Sequence, residues 1–286
     1  MLIDTIRDGA DPGATMGAVF TASLTEAALN PKGKFLDHFL LSLNGTVGTA
    51  AVAIETFAGL LNPFSFKVGS ETRIQLRAAD LIALMAFFYN RTPQIWENTD
   101  ATGSDFIQGI KIPIQETIDP AQSYTYAATR VAQTNISVET LALAAVYYDD
   151  AKGKKPIVAV ELPYTTAAAS GYTQLGVELP PIGKLIGLIV NQTIGPADGT
   201  FISSIQRFQM QENGKNTSKF PATLGATLGS GIFDGTLSPI ADLLKYFNAF
   251  DFREEPIDLK TSKVTFSVDV EDVSDATRFI AVIEKE

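Results

Sequence analysis

The sequence predicts an all-β protein made of two similar domains in tandem. Short apolar runs that alternate with polar residues recur along most of the chain, which is the pattern of half-buried strands. The chain also repeats itself, because residues 39–48 return as residues 186–195 with Asn, Thr, a β-branched residue and Gly in register. At 286 residues, each half is long enough to bury a core of its own.

Three segments of the first half recur in the second half in the same order. The pairs are residues 39–48 with 186–195, residues 80–88 with 242–250, and residues 142–147 with 278–283. A Gly-Lys pair precedes the first segment in both copies, beginning at Gly33 and at Gly183. The shared order indicates a duplicated fold whose loops have diverged in length.

The predicted organisation has four parts. They are an N-terminal arm (1–32), a first domain (33–151), a linker (152–155) and a second domain (156–286). The linker holds the only cluster of basic residues, Lys152, Lys154 and Lys155, beside Gly153 and before Pro156. We interpret this cluster as a solvated connection between the domains.

The arm carries a helical spacing of apolar residues. Met16, Phe20 and Leu24 recur every fourth residue, and Asn30-Pro31 follows as a stop signal, so a short amphipathic helix is expected. Three glycines weaken this helix, and a segment of this kind needs a surface to fold against. That surface is either its own domain, a neighbouring subunit or a membrane.

Each domain is expected to contain a hairpin, several further strands and one helix. The first hairpin turns at Gly69-Ser70 between residues 64–68 and 73–77, and Asn213-Gly214 supplies the tight turn after residues 201–211. Helices are expected at the two segments that begin with Asp-Leu, 80–88 and 242–250. The other predicted strands are 39–47, 107–114, 124–131, 138–148, 186–194, 264–270 and 279–283. Short strands at this spacing predict antiparallel sandwiches or barrels.

Composition narrows the classes of function. A net charge of −10 argues against a surface that neutralises nucleic-acid phosphates, so no direct nucleic-acid binding is expected. The absence of cysteine removes disulfides, thiolate nucleophiles and zinc-thiolate sites. No secretory signal and no apolar run of spanning length are recognised, so the protein is expected to be soluble as made.

Residues for catalysis or metal binding are scarce. His38 is the only histidine, and its neighbour Asp37 is expected to point to the opposite side of a strand, so a structural histidine is favoured. The acidic residues of the last strand lack the spacing of a calcium loop; these are Asp269, Glu271, Asp272 and Asp275. We therefore predict no catalytic residue, no cofactor site and no metal site.

Other motifs have simple structural interpretations. The glycine-rich run 229–235 misses both phosphate-loop patterns. Trp96, the single tryptophan, is interpreted as a local packing anchor or an intersubunit plug. Glycosylation is not predicted, because no signal peptide is recognised. The chain nevertheless has five Asn-x-Ser/Thr sequons, which begin at Asn44, Asn90, Asn135, Asn191 and Asn216.

Two similar β-domains, an arm and no catalytic motif together resemble a known family. The chain resembles the double jelly-roll major capsid protein of tailless icosahedral viruses, especially bacteriophages with an internal membrane, in the lineage that includes adenovirus hexon. The segments that carry the resemblance are an opening strand (39–47 and 186–194), a hairpin (64–76 and 201–211), a helix (80–88 and 242–250) and a closing strand (138–148 and 278–283). The family has no catalytic motif to transfer.

The resemblance implies two eight-stranded jelly rolls, each with a short helix, and a structural role without enzyme activity. Such proteins form trimers whose six barrels approximate a hexagon and tile an icosahedral shell. Expected partners are two further copies, neighbouring capsomers, penton or minor capsid proteins, and an internal viral membrane reached through residues 1–32. The expected location is the virion, after assembly in the host cytoplasm.

Two other kinds of protein remain alternatives. A tandem carbohydrate-binding module would use exposed aromatic platforms, for which Tyr89, Trp96 and Tyr172 are the candidates. A phage spike or tail protein would form elongated assemblies rather than compact trimers. A metal enzyme on a cupin-like fold is disfavoured, because one histidine cannot supply its ligands.

Overall fold

The chain forms two compact units, Met1–Val158 and Ala159–Glu286. The division lies just beyond the linker expected at 152–155. The computed structural model describes residues 1–10, 24–48, 60–89, 105–130, 136–162, 173–193, 205–221, 247–270 and 276–286.

Among the described residues the first unit has eight strands and one helix. They are β1 (Leu2–Ala10), β2 (Leu24–Ala28), β3 (Phe35–Val47), β4 (Leu61–Val68), β5 (Glu71–Leu76), α1 (Ala78–Tyr89), β6 (Asp105–Thr117), β7 (Tyr124–Arg130) and β8 (Ile136–Tyr148).

The second set of strands begins at the division between the units. It comprises β9 (Ile157–Leu162), β10 (Thr173–Glu178), β11 (Gly183–Thr193), β12 (Ile205–Glu212), β13 (Lys215–Pro221), β14 (Phe247–Asp251), β15 (Ile257–Asp258), β16 (Val264–Val270) and β17 (Ala276–Lys285). The short strand β15 pairs with β11 beside the main sheet.

Both units use the same strand order. In the first unit the strands lie in the orders β1-β8-β3-β6 and β5-β4-β7-β2, and in the second unit they lie in the orders β14-β11-β17-β9 and β10-β16-β12-β13. Counted within each unit, one sheet therefore holds strands one, eight, three and six, while the other holds strands two, seven, four and five. Two facing four-stranded sheets with these crossings form a jelly roll.

Aromatic side chains fill the space between the sheets in each unit. Phe39 on β3 is fully buried, with ring centroids 5.7 Å from Phe64 and 5.3 Å from Phe66, both on β4. In the second unit the ring centroids of Phe208 on β12 and Phe250 on β14 are 5.0 Å apart. These edge-to-face contacts follow from the alternation that predicted the strands, since every second residue points inward.

Two of the three repeated segments lie on equivalent strands, the third and the eighth of each unit, whereas 80–88 lies in helix α1 and 247–250 lies in strand β14. Residues 39–47 lie in β3 and residues 186–193 lie in β11, the third strand of each unit rather than the opening one. A Cβ on Gly33 would lie 2.6 Å from the Cβ of Tyr147, and one on Gly183 would collide with the backbone carbonyl of Glu284. The repeated glycine is thus required where the chain passes close to the last strand of each unit.

The two predicted hairpins are confirmed. β4 and β5 pair around Gly69-Ser70, and Gly69 has a φ of 58°. β12 and β13 pair around Asn213-Gly214, whose φ values of 51° and 77° are those of a tight hairpin turn. The helix predicted at 80–88 is also confirmed as α1.

The two strands that the structure describes within residues 1–32 pair with strands of the first unit. Leu2–Ala10 is β1 and pairs antiparallel with β8, while Leu24–Ala28 is β2 and pairs with β7. The helix expected around Leu24 is therefore wrong over 24–28, and its remaining residues, Met16 and Phe20, lie outside the described residues. A helix this short is marginal in isolation, so pairing with β7 decides the structure of residues 24–28.

The second predicted helix is wrong where the structure describes it. Phe247–Asp251 is strand β14, paired with β11, whereas residues 242–246 lie outside the described part. Phe250 packs between Phe208 and Phe266 at ring-centroid distances of 5.0 and 5.3 Å. Tertiary packing thus overrides the helical spacing of the local sequence.

Candidate functional site

A buried ionic cluster lies at the start of β3. His38 Nδ1 is 2.7 Å from Asp37 Oδ2, and Lys154 Nζ is 2.5 Å from Asp37 Oδ1. Asp37 and His38 are only 4% and 6% exposed, whereas the Lys154 side chain is 46% exposed. The segment interpreted as a solvated linker therefore donates one of its lysines to a buried carboxylate.

The expectation that Asp37 cannot face His38 is wrong. The pairing register of β3 shifts between Leu36 and His38, which leaves Asp37 in a bulge. A bulge breaks the strict alternation of side chains, so two adjacent residues reach the same side. The sequence signal for this site is an ionisable residue within an apolar strand, because a buried charge needs a partner.

The contacts of the cluster favour the ionised form of Asp37. Burial opposes ionisation of Asp37, but hydrogen bonds from His38 and Lys154 outweigh it and lower the pKa of Asp37 to about 2. Burial also raises the pKa of Tyr89, with Asp37 and Tyr148 adding to the effect. Within the described residues the His38 imidazole contacts the Asp37 carboxylate through Nδ1, and no serine hydroxyl is placed on it.

A second buried ion pair supports the same end of the first unit. Arg73 on β5 places Nε 2.9 Å from Glu116 Oε2 and Nη1 2.6 Å from Glu71 Oε1. Arg73 and Glu116 are 5% and 7% exposed. The contact between Arg73 and Glu116 joins β5 to β6, and no feature of the sequence spacing pointed to it.

A groove of about 640 Å³ opens at this end of the first unit. It lies between the connection from β2 to β3 and the connection from β6 to β7, with Lys32, Lys34, Asp119 and Tyr124 among its lining residues. The backbone N–H of Asp119 donates to the Tyr124 hydroxyl at 2.8 Å, which joins this loop to β7.

Several sequence candidates fall in parts of the chain that are not described. These are Trp96, Tyr172, the run 229–235, the sequons at Asn90 and Asn135, and the acidic residues Glu271, Asp272 and Asp275. Asp269 lies in β16, and its Oδ2 is 3.9 Å from Arg207 Nη1. Among the described residues no three His, Asp or Glu side chains are grouped to hold a metal ion.

The remaining candidates are placed on strands and on the helix. Asn191 is buried, Asn44 accepts a hydrogen bond from Ser42 at 2.9 Å, and Asn216 is exposed beside the β12–β13 turn. Tyr89 is half-buried at the end of α1, with Lys111 Nζ 4.1 Å from its ring centre. A ring covered in this way offers no open platform to a sugar.

The outer face of the sheet β1-β8-β3-β6 is the most open apolar surface on the described strands. Leu40 is 38% exposed and Ile3 is 51% exposed. Neighbouring positions carry the small side chains of Ser42, Ala142 and Ala144, all of which are half-buried. No helix of the described chain is long and apolar enough to cross a membrane.

Comparison with known proteins finds structural relatives without sequence relatives. No family model matches the chain, and no curated protein matches it by sequence. A structure of the Sulfolobus Turreted Icosahedral Virus matches with a TM-score of 0.69 and 13% identity over 99% of this chain and 89% of that chain. The capsid of the virus PBCV-1 matches with a TM-score of 0.60 and 11% identity over 99% and 93%.

A third solved structure has the same fold. The major capsid protein P2 from bacteriophage PM2 matches with a TM-score of 0.56 and 8% identity over 98% of this chain and 95% of that chain. Matches that span nearly the whole of each chain, together with the duplicated strand order, show that this chain has the double jelly-roll fold. The predicted fold class is confirmed, and identities this low establish the fold alone.

Proposed function

We propose that this chain is the major capsid protein of an icosahedral virus and that three copies form a pseudo-hexameric capsomer. The observation that carries the proposal is the identical order of eight strands in both units of one chain. Three copies of a doubled domain present six similar barrels, while the two halves remain free to differ at their contacts. The solved structures of this fold described above support the proposal, because they are the capsid of PBCV-1 and the major capsid protein of bacteriophage PM2.

The role we propose is assembly, without enzyme activity. The buried side chains of Asp37, Arg73 and Glu116 have partners of opposite charge: Asp37 contacts Lys154, and Arg73 contacts Glu116. An acidic chain with a net charge of −10 suits a shell wall better than a genome-binding surface. The proposed location is the virion, following assembly in the host cytoplasm.

The proposed partners are two further copies, neighbouring capsomers, and penton or minor capsid proteins. Contact with an internal viral membrane is proposed for the part of residues 1–32 that lies outside β1 and β2. Flotation with vesicles tests this contact, with deletion of residues 12–22 as the variant. The intact chain is expected to float with the vesicles and the deletion variant to remain below them.

The main test is the solution mass of the purified chain, combined with electron microscopy of the same sample. We expect a particle of three times 30.7 kDa with a pseudo-hexagonal outline. A monomer at high concentration that binds glycans would replace the proposal with a tandem binding module. An elongated assembly would replace it with a spike or tail protein.

A further inference from the structure

Two sheets end in strands whose outer edges are unpaired within the described residues. β1 is the last strand of the sheet β1-β8-β3-β6, and β13 is the last strand of the sheet β10-β16-β12-β13. Each of these strands pairs with one neighbour, β8 and β12 respectively. An edge strand presents peptide N–H and C=O groups that can pair with another chain.

The opposite edge of the first sheet is covered. Helix α1 packs along β6, and the backbone N–H of Lys111 on β6 donates to Met85 Sδ on α1 at 3.4 Å. Covering an edge with a helix is one of the ways in which proteins prevent unwanted strand pairing. The chain therefore protects β6, and the described residues contain no such cover over β1.

The start of β1 is exposed at consecutive residues. Leu2 is 46% exposed and Ile3 is 51% exposed, and Thr5 is also exposed. Successive side chains of a strand point to opposite faces. Exposure of Leu2 and Ile3 together therefore means that the start of this strand is uncovered on both faces, and two aliphatic side chains there remain in water.

The edge at β13 has complementary features. Lys215 and Asn216 are exposed where the strand begins, and Pro221 ends the strand. Proline is tolerated in edge strands because it cannot donate to a further ladder. β1 brings the carboxylate of Asp4, whereas β13 brings the ammonium group of Lys215, so the two edges carry opposite charges.

We propose that β1 of one copy pairs with β13 of the next copy, which joins the two sheets across the subunit boundary. The inference rests on the proposed trimer. A contact between two different patches is head-to-tail, and it closes into a ring when its rotation allows. Strand addition of this kind gains main-chain hydrogen bonds along the edge, and it covers Leu2 and Ile3.

Cysteine cross-linking tests the proposal cleanly, because the natural chain contains no cysteine. Thr5→Cys and Asn216→Cys are made in separate chains of different length, mixed, assembled and treated with a short bis-maleimide. We expect a covalent dimer that contains one chain of each kind, and a covalent trimer when both substitutions are in the same chain. Thr117→Cys, an exposed position on the covered strand β6, replaces Thr5→Cys as the control and should give no product.

The outcomes separate this proposal from the one on which it rests. A trimer by light scattering that yields no product between Thr5→Cys and Asn216→Cys overturns the edge pairing and leaves the capsomer intact. A product between two Thr5→Cys chains also overturns it, because β1 would then pair with itself about a two-fold axis. A chain that stays monomeric at every concentration overturns both proposals.

Charge reversal provides a second measurement. Asp4→Lys and Lys215→Glu should each raise the concentration at which the trimer dissociates by about tenfold, because like charges then face each other. The double variant should restore the natural value. An unchanged dissociation concentration in both single variants, or no restoration in the double variant, contradicts the pairing.

Discussion

The third strands of the two units are equivalent in order and different in burial. On β3 the inward residues Phe39, Leu41 and Leu43 are buried, while Leu40 between them is 38% exposed. On β11 every residue from Leu185 to Asn191 is buried. The duplicated strand has therefore kept its inner face in both halves, and its outer face has diverged.

The last strands show the same difference in chemical terms. Ser42 on β3 pairs with Ala142 on β8 in the first unit, and Ile189 on β11 pairs with Ile280 on β17 in the second unit. Ser42 and Ala142 are half-buried, whereas both isoleucines are fully buried. The compared side chains of the outer face are small and half-buried in the first unit. In the second unit they are large and fully buried.

This difference shows how duplication produces specialised surfaces. Side chains between the two sheets must interlock, so substitutions there are costly and the inner pattern persists. Side chains on the outer face are constrained only by what covers them. One half can thus bury this face within the chain while the other half leaves it for solvent or for another copy.

The largest expected loss of stability comes from shortening a side chain on the covered outer face of the second unit. Ile280→Ala should lower the free energy of unfolding by about 2–5 kcal/mol, because it opens a cavity at a fully buried position. Ala142→Ser, at a half-buried position on the outer face of the first unit, should change it by less than about 0.5 kcal/mol. Urea unfolding measures both, and equal losses would contradict the difference between the faces.

The repeated glycines should behave alike in the two halves. Gly33→Ala and Gly183→Ala should each cost about 1–3 kcal/mol, since the new Cβ meets Tyr147 in one case and the Glu284 carbonyl in the other. The larger loss is expected at Gly183, where the obstacle is backbone. Gly109→Ala is the control, because no atom lies within 4 Å of its added Cβ. Thermal unfolding measures these losses. If Gly33→Ala is as stable as the natural chain, the two glycines are not equivalent.

The buried carboxylate should make the first unit sensitive to acid. The pKa of Asp37 is about 2 in the folded chain against 3.8 for the free group, so its contribution to stability is present above pH 4 and is lost as pH falls towards 2. Asp37→Asn should cost about 1–3 kcal/mol at neutral pH. It should also flatten the decline in stability on acidification, measured by unfolding at pH 5 and at pH 2.5. A decline identical to that of the natural chain would assign the acid sensitivity to other groups.

The smallest effect on stability is expected when the open face is given the residue of the covered face. Ala142→Ile introduces an isoleucine on the outer face of the first unit and should change the free energy of unfolding by less than about 0.5 kcal/mol, because Ala142 is half-buried on this face rather than in the core. Light scattering should instead show increased self-association, as a larger apolar patch meets water. If Ala142→Ile instead lowers the free energy of unfolding, the outer face of the first unit is also covered, and the larger side chain overpacks it.

Much of the strand content could be predicted from local alternation. The hairpin at Gly69-Ser70, the hairpin at Asn213-Gly214 and helix α1 lie where the sequence places them, because tight turns and long apolar runs are local properties. The segment 247–250 was mispredicted, since its helical spacing is overridden by pairing with β11 and by packing of Phe250 on Phe208. Local propensity decides only where distant contacts do not.

The sequence by itself determined the duplication, the alternating strands of each half and the scarcity of catalytic groups, because composition and period are written along the chain. Only the tertiary structure decided that residues 2–10 and 24–28 belong to the first unit, that a bulge turns Asp37 towards His38, and that Lys154 neutralises it. Each of these depends on groups far apart in sequence or on an irregularity of register. Neither leaves a periodic signal in the chain.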